Sequence, residues 1–171
     1  RHPETLPGVT ERLAEALAEA GLPVDRLQLP LSALFGLKHP LYFGIILTWV
    51  RGKGSTAWLR PIRKNQEAEA RRLLAKSPFG PLVAGDCTEV RHRVGEPGWC
   101  ALPALRPLED DGFVDYLATV AELPDGARQV ISIATRMEGG FGPDVQERLR
   151  LLKSPLALAL YAIYQAQLAQ Q

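Results

Sequence analysis

Few of the side chains that most often perform catalysis or bind metal ions are present, and they are scattered. The three histidines are His2, His39 and His92, and none of them lies in the HExxH pattern of a zinc-binding helix. The two cysteines, Cys87 and Cys100, form no CxxC pair, so the sequence predicts neither a zinc site nor a disulfide framework. We therefore expect no metal site and two free thiols in a reducing compartment.

Nucleophilic and acid–base catalysis find no better support in the sequence. No serine lies in a GxSxG motif, and Cys87 follows Asp86, whose negative charge does not favour a thiolate. The acidic run at residues 109–111 is more typical of a solvated turn than of a catalytic pair of carboxylates. The sequence thus predicts no catalytic residues, and we expect that this chain is not an enzyme by itself.

Length and composition indicate one domain, residues 1–171, without nucleic acid or a membrane as partner. The formal net charge is +1, and the short basic runs at residues 60–64 and 91–93 lack a recognition helix or a stacking aromatic platform. No apolar run reaches the roughly 20 residues of a membrane-spanning helix, and no signal peptide opens the chain, so we expect a cytoplasmic location. Because the first residue is Arg1, we also expect the chain to be part of a longer protein.

The longest apolar run, residues 41–51, predicts a central strand. Its β-branched and aromatic side chains and the glycines at Gly52 and Gly54 favour a strand over a buried helix. Both faces of such a strand are largely apolar, so both need cover from other elements. The two glycines supply the positive φ values of a tight hairpin, which predicts a returning strand over residues 56–62.

Periodicity and turn residues predict the remaining elements. The predicted helices cover residues 10–20, with Thr10 as the cap, 65–76 and 101–110, and the predicted strands cover residues 88–94, 115–121 and 128–136. A closing helix begins at Pro143, and Pro155 is expected to bend or break it. Residues 22–38 contain Pro23 and Pro30, and we expect an ordered connector there, with a short strand or a helical turn.

Four stretches of the sequence, in order, are similar to a known family: LYFGIILTWVRG, KSPFGPLVAGD, DGFVDYLATVAELPDG and QVISIATRMEGGFGPDVQERLRLL. Together they resemble the GAF-like regulatory region upstream of the catalytic domain in bacterial class III adenylate and guanylate cyclases. The resemblance covers residues 9–160. It implies an α+β fold in which a mainly antiparallel central sheet is flanked by helices, with long helices at both ends.

The resemblance also implies a function. Such a domain is a non-catalytic sensory module that binds a small molecule or a partner, dimerises through its terminal helices, and passes a change to a fused output domain, here a nucleotide cyclase with its cyclic AMP or cyclic GMP product. The catalytic aspartates of the cyclase have no counterpart, because that domain is absent from this chain. A ligand-free structural dimerisation module is the alternative.

In a GAF-like fold the ligand cavity lies between the sheet and the connecting segments on one face. The candidate ligand-binding residues are Trp49, Trp58, Arg91, His92, Tyr116, Thr119 and Ser132. Ordinary core packing is the alternative for the aromatic residues, and a solvated strand face is the alternative for Arg91. No particular ligand or cofactor is indicated.

The end of the chain predicts a homodimer. Residues 1–8 are expected to be a flexible end, whereas residues 156–171 form an apolar helix that needs a partner. The predicted dimerisation residues are Leu156, Leu160, Ile163 and Tyr164.

Overall fold

The structure is a computed structural model that describes residues 5–31, 45–59, 67–124, 126 and 128–168. Its elements, in chain order, are α1 (Leu6–Glu19), β1 (Arg26–Leu31), β2 (Ile45–Val50), β3 (Gly54–Leu59), α2 (Glu67–Ala75), α3 (Gly80–Ala84), β4 (Glu89–Arg93), α4 (Pro97–Cys100), a 3-10 turn (Pro103–Leu105), α5 (Arg106–Asp110), β5 (Asp115–Glu122), β6 (Arg128–Thr135) and α6 (Pro143–Leu168). The predicted strand residues 41–44 and the basic run 60–64 lie outside the described residues.

The described strands form a six-stranded sheet in the order β3-β2-β1-β6-β5-β4. Every neighbouring pair is antiparallel. Helices pack on both faces of this sheet, so the predicted α+β fold with an antiparallel central sheet is confirmed. The predicted hairpin at Gly52 and Gly54 is also confirmed, because both glycines have φ near +80° and join β2 to β3.

The terminal helices α1 and α6 cover one side of the sheet, which we call the front face. Its core joins helical residues such as Leu17 and Leu149 to strand residues such as Leu27, Leu47 and Leu117. On the other side, which we call the back face, α3, α4 and α5 cover the half formed by β4, β5 and β6. That second core includes Leu82, Trp99, Leu108, Phe113 and Tyr116.

Two strands lie at positions in the sheet that the sequence did not indicate. The strand after His39-Pro40 is not central, because β2 is second from one edge of the sheet. The connector at residues 22–38 contains a short strand, one of the two possibilities expected, and this strand, β1, is one of the two middle strands of the sheet. The pairing of β1 with β6 ends at Gln28, before Pro30. The backbone N–H that proline lacks is therefore not needed for that pairing, and β1 accommodates Pro30.

The ends of the two terminal helices also differ from expectation. α1 begins at Leu6 with Thr5 as its cap, and Thr10, the predicted cap, instead donates its hydroxyl to the carbonyl of Leu6 at 2.9 Å. α6 runs unbroken through Pro155. Pro155 and Leu151 are exposed, so the carbonyl that proline leaves without an intrahelical partner lies on the solvent side of the helix.

Candidate functional site

A row of polar side chains crosses the back face near the middle of the sheet. The residues directly opposite one another on four neighbouring strands are Thr56, Thr48, Gln28 and Ser132. Two positions further along the strands, Arg26 and Tyr116 lie on either side of Ala134. We call these six residues the back-face cluster. Burying a polar group costs free energy unless it is hydrogen-bonded, so a cluster of polar side chains at this place marks a candidate site.

The hydrogen bonds within the back-face cluster are long. Arg26 Nη1 donates to Gln28 Oε1 at 3.4 Å, and Gln28 Nε2 donates to Thr48 Oγ1 at 3.5 Å. Ser132 Oγ donates to the carbonyl of Gln28 at 3.4 Å. Strong hydrogen bonds of these types are roughly 2.7–3.2 Å long, so the cluster retains donors and acceptors that a ligand could engage.

Tyr116 has the most unusual environment in the cluster. Its side chain is 2% exposed, and its hydroxyl has no hydrogen bond of acceptable geometry among the described residues. Burial raises the pKa of the Tyr116 phenol, although the nearby Ser132 hydroxyl and the Arg26 guanidinium oppose the shift. The phenol therefore stays protonated at neutral pH and offers a donor in a covered site.

Arg26 brings a positive charge to the same patch. No carboxylate forms an ion pair with it in the part of the chain that the structure describes. Burial lowers the pKa of the Arg26 guanidinium, and electrostatic interactions with Tyr116 and Asp111 partly oppose this shift. Arginine remains protonated in proteins, so the charge persists without a matching anion.

Four of the predicted ligand-binding residues lie on the back face. Tyr116 and Ser132 belong to the cluster, and His92 stacks beside Tyr116 with ring centroids 6.5 Å apart. Trp58 lies on the edge strand β3 and is 57% exposed. Desolvation by burial lowers the pKa of His92, although Glu96 opposes this shift, so its imidazole is neutral near pH 7.

The other three predicted ligand-binding residues lie on the front face. Trp49 is buried in the core beneath α1 and α6. Thr119 donates its hydroxyl to the carbonyl of Thr88 at 3.1 Å, and Arg91 binds Asp115. The structure therefore does not bring these three together with Tyr116 and Ser132.

Sequence reasoning missed four members of the cluster, Arg26, Gln28, Thr48 and Thr56. The available signal was the alternation in RLQLPL, residues 26–31, where leucines occupy every second position as in a strand with one apolar face. Pro30 obscured that signal, since proline in a middle strand is uncommon.

Arg91 belongs instead to a buried ionic cluster around Asp115. Asp115 is fully buried, and its carboxylate accepts from Arg91 Nη2 at 2.6 Å and Arg91 Nε at 3.2 Å. Arg93 Nε donates to the same carboxylate at 3.3 Å, and the backbone N–H of Phe141 donates to it at 2.8 Å. Arg91 Nη2 also donates to the Phe141 carbonyl at 2.6 Å. We call this arrangement the Asp115 clamp, because it fastens the segment before α6 to β4 and β5.

The Asp115 clamp explains the glycines of the GGFG sequence at residues 139–142. Gly140 has a φ of +74°, and a Cβ atom there would lie 2.5 Å from Asp115 Oδ2. Gly139 has a φ of +82°, but a Cβ atom there would meet nothing within 4 Å. Only glycine allows the chain to pass Asp115 this closely and deliver the Phe141 N–H to the carboxylate.

Several solved structures are similar to this chain, and one of them matches almost its whole length. It is the GAF domain of a two-component sensor histidine kinase from Bacillus halodurans, with a TM-score of 0.61 and 15% sequence identity over 98% of this chain and 99% of that one. The chain has a GAF-like fold. Neither a protein-family model nor a curated protein matches the sequence.

In this GAF-like domain three of the four predicted dimerisation residues pack inward. Leu160 is 5% exposed within the front-face core, and Leu156 and Ile163 pack against that core. Tyr164 lies in α6, but its side chain is outside the described part. The exposed side of α6 instead presents an apolar stripe of Leu151, Pro155, Leu158 and Ala162.

A cleft of about 330 Å³ opens at another edge of the GAF-like domain, where the β5–β6 hairpin approaches α6. Its lining residues are Gly85, Cys87, Thr88, Val120, Ala121, Glu122, Arg128, Lys153 and Ser154. Arg128 and Lys153 are balanced in part by Glu122, and no predicted ligand-binding residue lies there.

No three histidine, cysteine, aspartate or glutamate side chains among the described residues lie close enough to bind a metal ion. No helix within the described ranges has the length and apolarity needed to span a bilayer.

Proposed function

We propose that this chain is a sensory or regulatory domain that binds a small molecule on the back face of its sheet. The observation that supports the proposal is the back-face cluster, where the described residues provide neither a hydrogen-bond partner for the buried Tyr116 hydroxyl nor a counterion for Arg26. A folded protein rarely leaves such groups unsatisfied, and a bound ligand would satisfy both. Trp49, Arg91 and Thr119 lie on the front face and are not part of this proposed site.

A ligand at the back-face cluster has a short path to α6. Tyr116 faces the cluster, and its neighbour on β5, Asp115, faces the opposite side and holds Phe141. A ligand that shifts Tyr116 along β5 therefore also changes the Asp115 clamp, from which α6 begins two residues after Phe141. The ligand would act by favouring one of two arrangements of this connection.

A homodimer through α6 would turn that change into an output. The exposed stripe that includes Leu151, 71% exposed, and Leu158, 48% exposed, offers the apolar surface for a second copy. In light scattering, Leu151→Glu with Leu158→Glu should convert a dimer to a monomer while leaving the circular dichroism spectrum unchanged. A double variant with the oligomeric state of the wild type would refute the α6 dimer.

The proposed output domain is a fused cytoplasmic nucleotide cyclase, in keeping with the four stretches quoted above. A longer polypeptide that contains this chain should then form cyclic AMP from ATP or cyclic GMP from GTP. A longer polypeptide that forms neither product would argue for a different output domain.

Native mass spectrometry of the purified chain tests the sensory role. A non-covalent mass beyond that of the denatured chain, lost in a variant of Tyr116 or Arg26 but retained in a variant of the exposed Arg12, would support a ligand on the back face. A dimer without added mass, before and after incubation with a cell extract of small molecules, would favour the ligand-free dimerisation module. The exposed stripe of α6 is the observation that supports this second function.

A further inference from the structure

We propose that the ligand of the back-face cluster contains an anionic group, a carboxylate or a phosphate, which Arg26 binds as the charged residue and Tyr116 binds through its hydroxyl. This inference rests on the proposed sensory function and adds the chemical class of the ligand. It follows from the charge, the donors and the position of the cluster.

The charge of the cluster selects an anion. Arg26 has five N–H donors, and the described residues engage its side chain through one long hydrogen bond to Gln28. By contrast, Arg91 lies on the front face of the same sheet and forms an ion pair there, with its Nη2 atom 2.6 Å from Asp115 Oδ2. The planar guanidinium of an unneutralised arginine matches a carboxylate or a phosphate in two parallel hydrogen bonds. A cationic ligand would be repelled, and a purely apolar one would leave the charge without a partner.

The other donors of the cluster can converge on the same group. Arg26 and Tyr116 occupy one row of the sheet, with Ala134 between them, and the electrostatic influence of Arg26 reaches the phenol. Ala134 itself is fully buried, whereas Arg26 is partly exposed, so the ligand would reach the cluster from the side of Arg26. An anionic oxygen between Arg26 and Tyr116 would accept from the guanidinium and the phenol together, and Ser132 and Thr48 would supply hydroxyls in the next row.

The unequal burial of the cluster indicates the direction from which the ligand enters. Ser132 is fully buried and Tyr116 nearly so, whereas Gln28 and Thr48 are partly exposed and Thr56 is exposed. The anionic group would therefore lie at the closed end near Tyr116, and the rest of the molecule would extend over β1 and β2 toward β3.

Titration with small probes tests the anionic group directly. Succinate and inorganic phosphate represent the two chemical sources, and succinamide is the uncharged analogue of succinate. Each is added at constant ionic strength, since screening alone alters weak charge contacts. The readout is the shift of the Arg26 Nε–H and of the Ser132 and Ala134 amides in ¹H–¹⁵N correlation spectra. We expect saturable shifts with at least one anion and none with succinamide.

Variants show whether the binding depends on Arg26. Arg26→Gln should weaken the anion by about tenfold or more, a loss typical for one charged hydrogen-bonding partner. Arg26→Lys should retain part of the affinity, and Tyr116→Phe should weaken it less than Arg26→Gln. Arg12→Gln removes the same charge from exposed α1 on the front face and should bind like the wild type. If Arg26→Gln does not fold, Arg26→Lys and Tyr116→Phe still provide the comparison.

The possible outcomes separate this inference from the sensory function. Binding of succinate alone indicates a carboxylic acid, and binding of phosphate alone indicates a phosphorylated molecule. Binding of neither anion, equal binding of succinamide, or unchanged binding in Arg26→Gln would overturn the anionic ligand. If native mass spectrometry then detects a neutral molecule retained by Arg26→Gln, the sensory function stands without this inference; if it detects none, both fail.

Discussion

Replacement of Asp115 by asparagine tests whether the Asp115 clamp holds the start of α6. The amide has nearly the shape of the carboxylate but no charge, and its nitrogen is a donor facing other donors. The variant would keep an acceptor for the Phe141 N–H, which now donates at 2.8 Å, and would leave the guanidinium groups of Arg91 and Arg93 without their counterion.

The expected cost follows from the exposure of the two arginines. Removing one partner of a fully buried ion pair costs roughly 3–5 kcal/mol. The side chains of Arg91 and Arg93 are 22% and 43% exposed, so water replaces part of the lost contact. We therefore expect Asp115→Asn to lower the free energy of unfolding by about 2–3 kcal/mol. For a chain of this size that corresponds to a fall in Tm of roughly 4–12 °C.

Urea unfolding followed by circular dichroism measures that loss, and hydrogen exchange locates it. The amide of Phe141 and those of the first turn of α6 should exchange faster in Asp115→Asn, whereas the amides of the β1–β2 pair should change little. The matched control is Glu69→Gln, which removes the exposed Glu69–Arg72 pair and should leave the free energy of unfolding nearly unchanged. A loss for Asp115→Asn no larger than that of the control, with unchanged exchange at Phe141, would refute the clamp.

Three further predictions concern single side chains. Gly140→Ala should destabilise the fold more than Gly139→Ala, by about 1–3 kcal/mol in urea unfolding, because both have positive φ but only the first would place a Cβ against Asp115. Tyr116→Phe should leave the ligand-free chain as stable as the wild type or up to about 1 kcal/mol more stable, because it removes a buried hydroxyl that has no hydrogen-bond partner among the described residues. Burial lowers the pKa of His92 below 6.5, so the unfolded chain takes up a proton at this residue before the folded chain does as the pH falls. The stability that the neutral His92 contributes is therefore present above pH 6.5 and is lost as the pH falls toward the pKa of the folded state. His92→Gln should therefore show a shallower loss of stability than the wild type over that range, by at most about 1.4 kcal/mol per pH unit.

Each of these predictions has a clear contrary result. Equal losses for the two glycine variants would show that the close approach to Asp115 costs nothing. A marked loss of stability in Tyr116→Phe would indicate that the hydroxyl has a partner in the ligand-free protein. Parallel pH profiles for His92→Gln and the wild type would mean that the histidine titrates alike in the folded and unfolded chains.

The outlines of most elements were predictable from local patterns. The alternation at residues 115–121 and 128–136 and the turn between them predicted β5 and β6 to within a residue or so at each end. The placement of Val90 and His92 on one side of β4, and of Arg91 and Arg93 on the other, was also predictable, since a strand turns successive side chains to opposite faces.

The candidate site was less accessible to such reasoning. The prediction included Tyr116, Ser132, His92 and Trp58 on the back face, but grouped them with three front-face residues. Whether a strand side chain faces α6 or the back face depends on where the neighbouring strands place it, and the spacing along one strand leaves that choice open.

By itself the sequence determined most of the longer elements and their order, because helix and strand periods and turn glycines act over a few residues. The tertiary structure alone decided which residues meet: Arg26 with Tyr116 across Ala134, and Asp115 with Phe141 26 positions later. It also decided that Leu156 and Leu160 face the core while Leu151 and Leu158 face outward. Such contacts depend on strand order and register, which arise from the packing of the whole sheet.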